Sequence, residues 1–172
     1  YLFVASGGIA FFLLVLVLGK KNKSRADYTF IGIIFSLGLY FSGLFILNSG
    51  KPDFSFFEKL ILEFNEASIF LYGPLLWYYT LFLTQAKQKL TKEFYIHLAP
   101  FFVAMLYLWT RISMEIPTGA SFRNFLLFFK LLSILSYTIL ILRILKKHDL
   151  TIRDYFSNLD NKKLLWLKFL AE

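Results

Sequence analysis

The chain has 172 residues, of which 58% are apolar, 17% are charged and none is cysteine. Soluble domains carry about 45–50% apolar and about 25% charged residues, so this mix, with a mean hydropathy of +0.61, argues against an ordinary soluble globule. The lack of cysteine excludes disulfide scaffolds, cysteine zinc sites, iron–sulfur clusters and thiol catalysis, while 22 Phe, 10 Tyr and a formal charge of +8 point to a basic, aromatic-rich, polytopic membrane protein.

A membrane-crossing helix needs about 20 mostly apolar residues. Tyr1 to Gly19 has no charge and is the first predicted span. Its cations, Lys20, Lys21, Lys23 and Arg25, follow the apolar run. A signal peptide carries them in front, so the arrangement is that of a stop-transfer segment. Tyr1 rather than Met opens the chain, and the expectation is a piece of a longer protein.

The second span is predicted over 28–47, rich in Ile, Phe, Gly and Leu, and Asn48 to Asp53 reads as a turn. Phe54 to Glu66 places Glu58, Lys59, Glu63 and Glu66 among Phe and Leu at helical spacing. It is expected to lead into a third span over 60–84. A short basic loop with Lys87, Lys89 and Lys92 precedes a fourth span over 94–110. After a polar loop from Arg111 to Gly119, a fifth span covers 122–145 and carries one charge well inside it, Lys130. Lys146 to Asp149 is expected to end that run. Residues 150–160 read as an interfacial amphipathic segment, and 164–172 as the start of a sixth span. The predicted fold is therefore an all-α membrane protein, a polytopic helical bundle of five transmembrane helices and the start of a sixth, with no internal repeat.

Loops kept in the cytoplasm carry the excess of Lys and Arg. Lys20, Lys21, Lys23, Arg25, Lys87, Lys89, Lys92, Arg143, Lys146, Lys147, Arg153, Lys162 and Lys163 fall on one side. Lys51, Lys59, Arg111 and Arg123 fall on the other. This alternation predicts five spans with the N-terminus outside and the C-terminal end facing the cytoplasm. Because the cations are split among short loops, topology accounts for them better than nucleic-acid binding does.

Ionisable residues within a membrane are costly and need a reason. For Lys130 three readings stand: a buried counter-charge for Glu66 or Glu63, an ammonium snorkelling to the outer headgroups, or a ligand contact. Span midpoints put Glu66 and Lys130 at depths roughly 9 Å apart. A water-facing helix surface accounts for Glu58, Glu63 and Glu66 together. Gly73-Pro74, mid-span, reads first as a static kink, with a signal-transmitting hinge as the alternative. Lone His97 reads as a hydrogen-bonded structural residue near the cytoplasmic face, and His148 as solvated; they make no metal site. Trp77, Tyr78 and Tyr79 read as packing or anchor residues, Trp109 and Trp166 as an interfacial belt. Ser6-Gly7-Gly8, Gly38 and Gly43 read as helix-packing positions. No phosphate-cradling, dinucleotide, zinc-protease or nucleophile-elbow motif occurs, so neither catalysis nor a cofactor is expected.

Three local patterns stand together: Gly73-Pro74-Leu75-Leu76-Trp77-Tyr78-Tyr79, His97-Leu98-Ala99-Pro100-Phe101-Phe102 after a basic loop, and Leu164-Leu165-Trp166-Leu167-Lys168. The combination resembles the membrane half of bacterial AraC-type transcriptional regulators with a seven-span N-terminal region, over most of the chain. Similar halves precede some sensor histidine kinases. The resemblance implies a signal-input domain joined to a cytoplasmic helix-turn-helix domain that lies outside this sequence. A homodimer on palindromic DNA and a small ligand or envelope signal as input go with it. Glu63, Glu66, Lys130, Pro74 and His97 are the candidates for ligand binding or signal coupling. A histidine-kinase input domain, a small transporter or channel, and an intramembrane enzyme are the rival readings.

Overall fold

The computed structural model describes residues 2–85, 92–114 and 120–155, and among these the side chains of all but 120–123 and 152–155. Five helices follow in order: α1 (Leu2–Gly19), α2 (Arg25–Leu47), α3 (Phe56–Thr84), α4 (Lys92–Ser113) and α5 (Ala120–Tyr155). No strand occurs among the described residues. Each helix is long and apolar enough to cross a membrane.

Two of the helix starts are built alike. At α2, the Ser24 hydroxyl accepts from the Asp27 backbone N–H while Asp27 accepts from the Ser24 N–H, and Lys20 pairs with Asp27 at 2.7 Å. At α3, Ser55, Glu58 and Lys51 repeat this, with the Lys51–Glu58 pair at 2.6 Å. Each is a capping box with a lysine four residues before the cap, satisfying N–H groups that a helix start leaves open. The turn between α2 and α3 passes through Gly50 at φ +69°, a left-handed conformation that glycine adopts without steric cost.

α3 is the central helix. It packs against α2, α4 and α5, while α1 packs on α2 alone among the major contacts. In the most apolar stretch of α3, 44% of residues are buried, against 6% in α1. Its contact residues are small: Ala67, Ser68 and Thr80 are fully buried, and small side chains let helix backbones approach closely. The Ser68 and Thr80 hydroxyls donate to the Asn65 and Leu76 carbonyls of their own helix, so burying them leaves no donor open.

The packing partners fix the helix directions. Gly7 lies beside Phe41 and Gly38 beside Ala10, so α1 and α2 are antiparallel. Gly43 meets Asn65 and Gly32 meets Leu75, so α2 and α3 are antiparallel. Phe56 contacts Trp109 and Tyr78 contacts Phe94, which makes α4 antiparallel to α3. α5 runs parallel to α3, with Lys130 at Glu66 and Tyr137 at Gly73. The described basic residues Lys20, Lys23, Arg25, Lys92, Lys146 and Lys147 therefore gather at one end of the bundle, and Lys51, Lys59 and Arg111 at the other.

The stretch 54–66 and the third span form one helix, which begins at Phe56. Two sequence expectations are corrected. α4 runs on to Ser113, so Arg111 is helical and not in a loop. Lys146 to Asp149 does not end the last helix, which continues to Tyr155. Charge ends a hydrophobic span without ending a helix, and no Gly or Pro interrupts 120–155. Residues 150–155 extend α5, while the rest of 150–160 and all of 164–172 lie outside the described residues.

Candidate functional site

Charged side chains converge at the end where α3 and α5 begin. A cavity of about 580 Å³ opens there between α2, α3, α4 and α5, lined by Tyr40, Glu63, Asn65, Glu66, Arg111, Asn124 and Lys130 together with Leu44, Leu47, Leu62, Ile69, Leu108, Leu126 and Leu127. Small-molecule sites typically measure about 300–1,000 Å³ with mostly apolar walls and a few convergent polar groups. Two acids and two cations leave these walls with no net charge.

The charges pair across helices. Lys130 Nζ lies 2.5 Å from Glu66 Oε2. Arg111 pairs with Glu63, a partner the sequence reading did not supply. Lys130 thus meets one of the two acids offered for it, and does so without the depth difference expected from span midpoints. Glu66 stands ten residues after the start of α3 and Lys130 ten after the start of α5, and the two helices run parallel. The polar turns from Phe56 belong to the same helix as the apolar ones, which moves the true midpoint of α3 towards Glu66.

A shared water-facing surface fails for Glu63, which is 8% exposed, whereas Glu58 is partly exposed and Glu66 exposed. Five residues from Glu58 at 100° each put Glu63 about 140° around the helix, on the face that meets α4. The signal for its partner was Arg111 itself, a single cation at the end of an apolar run. The two pairs differ in exposure. The Lys130 side chain is 11% exposed and that of Glu66 is 59%, whereas Arg111 and Glu63 are both largely covered, at 19% and 11%. Glu63 Oε2 and Asn65 Oδ1 are buried with no hydrogen-bond partner in the protein. The Asn65 amide nitrogen donates to the Tyr40 carbonyl at 3.3 Å and sits where a Cβ on Gly43 would stand, 1.7 Å away.

The other two candidates lie away from this cavity. Pro74 is buried within α3, which continues unbroken through it; lacking an N–H, it leaves the Phe70 carbonyl without its usual helical donor. His97 Nδ1 lies 2.8 Å from the Tyr137 hydroxyl, joining α4 to α5. The His97 ring also packs on Trp77, with centroids 4.6 Å apart. Tyr78 is buried against Phe94 and Tyr79 stacks on Phe30, so these aromatics pack helix to helix. Gly73 supplies the seat for Tyr137. A Cβ there would meet the ring Cδ2 at 2.4 Å.

Among the described residues no group of three or more His, Asp and Glu side chains comes together in a way that holds a metal ion. No known protein family, curated protein or solved structure matches the chain.

Proposed function

We propose that the chain is the membrane-embedded input domain of a bacterial helix-turn-helix regulator of the AraC type, with the Glu63–Lys130 cavity as its sensing site. In this reading the helices cross the inner membrane with the N-terminus outside. The excess of Lys and Arg at the Lys20 end supports that orientation. The cavity then lies at the outer face, and the basic end faces the cytoplasm.

The observation that carries the reading is the cavity closed by two ion pairs drawn from three helices. Charges this far from bulk water are costly to keep, and a ligand that competes for one partner changes how α3, α4 and α5 hold together. Such a ligand biases the helix arrangement only by preferring one form over the other. α5 is suited to transmit the change. Its 36 residues span about 54 Å, and the part from Lys130 to Tyr155 about 38 Å, longer than a hydrocarbon layer of about 30 Å. The site has no catalytic role in this reading. The output domain and a homodimeric DNA complex rest on the family resemblance.

Membrane vesicles bearing the full-length protein test the proposal against sheared DNA of the source bacterium. Selective retention of a few DNA fragments is the expected result. Autophosphorylation from labelled ATP without DNA retention would replace the regulator with a histidine kinase. Accumulation of solute inside the vesicles would replace both with a transporter.

A further inference from the structure

We propose that the ligand of this cavity is a zwitterion, a primary ammonium joined to a carboxylate or phosphate, and that it binds by taking the place of Glu66 on Lys130. The inference deepens the sensing-site reading and rests on the cavity being its site. Two features of the walls point to opposite charges on one molecule.

The first is the difference in exposure within the Lys130–Glu66 pair. Lys130 is 9% exposed, enclosed by the surrounding helices. It needs an anion beside it, because an uncompensated buried charge is strongly unfavourable. Glu66, with a side chain 59% exposed, is not enclosed by the bundle and is free to swing away from the cavity. An incoming anionic group therefore displaces the carboxylate at little cost, while Lys130 stays where it is. The Arg111–Glu63 pair is covered on both sides and lacks this freedom.

The second is the pair of unmet acceptors. Glu63 Oε2 and Asn65 Oδ1 are buried without a hydrogen-bond partner in the protein, and both residues line the cavity. Buried acceptors without donors carry a desolvation penalty. The group that relieves it must donate hydrogen bonds, and beside a carboxylate a cationic donor does so best. A primary ammonium has three donors and no acceptor. Glu63 and Glu66 are one turn apart on the same face of α3, about 5–6 Å between Cβ atoms. The ammonium and the anion of the ligand are therefore separated by a few bonds, as in an amino acid or in phosphoethanolamine, whether free or as a lipid headgroup.

Binding to the purified full-length protein tests this. The probes are phosphoethanolamine and glycine, with ethanolamine and inorganic phosphate as single-charge controls. Titration calorimetry in detergent is run beside melting in nanodiscs of phosphatidylethanolamine or phosphatidylglycerol. The expected result is that a zwitterion binds at least about tenfold tighter than either control, the worth of one charge-assisted hydrogen bond. Lys130→Met and Glu63→Gln each weaken it. Glu66→Gln tightens it, because the internal competitor is gone, and a merely structural ion pair would not behave so. A melting temperature raised by phosphatidylethanolamine nanodiscs, with no further rise on adding the free headgroup, identifies the lipid as source. Binding of the free compound in detergent identifies a soluble one.

The inference is overturned if Glu66→Gln weakens binding as Lys130→Met does, or if neither zwitterion nor lipid binds better than the controls. Because the assay reads binding alone, loss of DNA retention would leave it standing. Retained signalling without zwitterion binding would sink it and spare the sensor.

Discussion

The ring of Tyr137 rests on the backbone of Gly73. A side chain at position 73 would place its Cβ 2.8 Å from the ring Cγ and 3.1 Å from the tyrosine Cβ, and the hydroxyl at the far end of that ring reaches His97. One glycine thus lets α5 approach α3 closely enough for a side chain of α5 to bridge to α4.

Gly73→Ala is expected to lower stability by about 1–3 kcal/mol through overpacking, read as a fall in melting temperature in detergent. Gly8→Ala is the control, since nothing lies within 4 Å of its added Cβ. It should be neutral or slightly stabilising, because alanine is the better helix former. Tyr137→Phe keeps the ring and removes the hydroxyl, and should cost about 0.5–1.5 kcal/mol. A Gly73→Ala protein as stable as the parent would show that Tyr137 does not lie on α3.

Lys130→Met should lower the melting temperature more than Lys59→Met, since Lys59 is exposed and Lys130 buried. Breaking the better covered pair has the larger effect. Glu63→Gln removes the negative charge paired with Arg111 and is expected to cost several kcal/mol, about 3–5 for a fully buried pair. Glu66→Gln leaves the buried Lys130 without its anion and is expected to cost more than Lys59→Met, but less than Glu63→Gln, because Glu66 itself is exposed. Equal melting temperatures for Lys130→Met and Lys59→Met would count against a buried Lys130 pair.

The chain has no cysteine, so engineered cysteines report without interference. A Cβ on Gly38 would lie 3.9 Å from that of Ala10, within the roughly 3.5–4.5 Å of a disulfide. Ala10→Cys combined with Gly38→Cys should cross-link on mild oxidation. Mass spectrometry of a digest would show one peptide joining α1 and α2. Pairing Gly8→Cys with Gly38→Cys should give little. The reverse pattern would mean a different register between the two helices.

The proposed orientation makes its own prediction. In intact cells, Asp53→Cys should react with a membrane-impermeant maleimide, while Lys21→Cys and Lys147→Cys should react only after lysis. Labelling of Lys21→Cys and Lys147→Cys from opposite faces would remove the membrane-crossing arrangement altogether.

Helix existence was legible without coordinates because it depends on local composition: five apolar runs separated by charges and turns became five helices. Their ends were less so. Charge at Lys146 marked the edge of an apolar span but not of α5, and the lysine at the end of α4's preceding loop, Lys92, proved to be helical. The interior charge on Lys130 announced that a partner was needed and narrowed it to two acids.

Which acid it meets, and that Arg111 takes the other, was decided by the register of α3 against α4 and α5. Periodicity along one helix says which residues share a face. It says nothing of how far a neighbouring helix is shifted along that face, which the fit of small residues such as Gly73 and Ala67 against their neighbours sets. Hence the sequence specified the rods and the charges that had to be neutralised, while only tertiary packing chose the pairs, opened the cavity beside them and left Glu66 exposed.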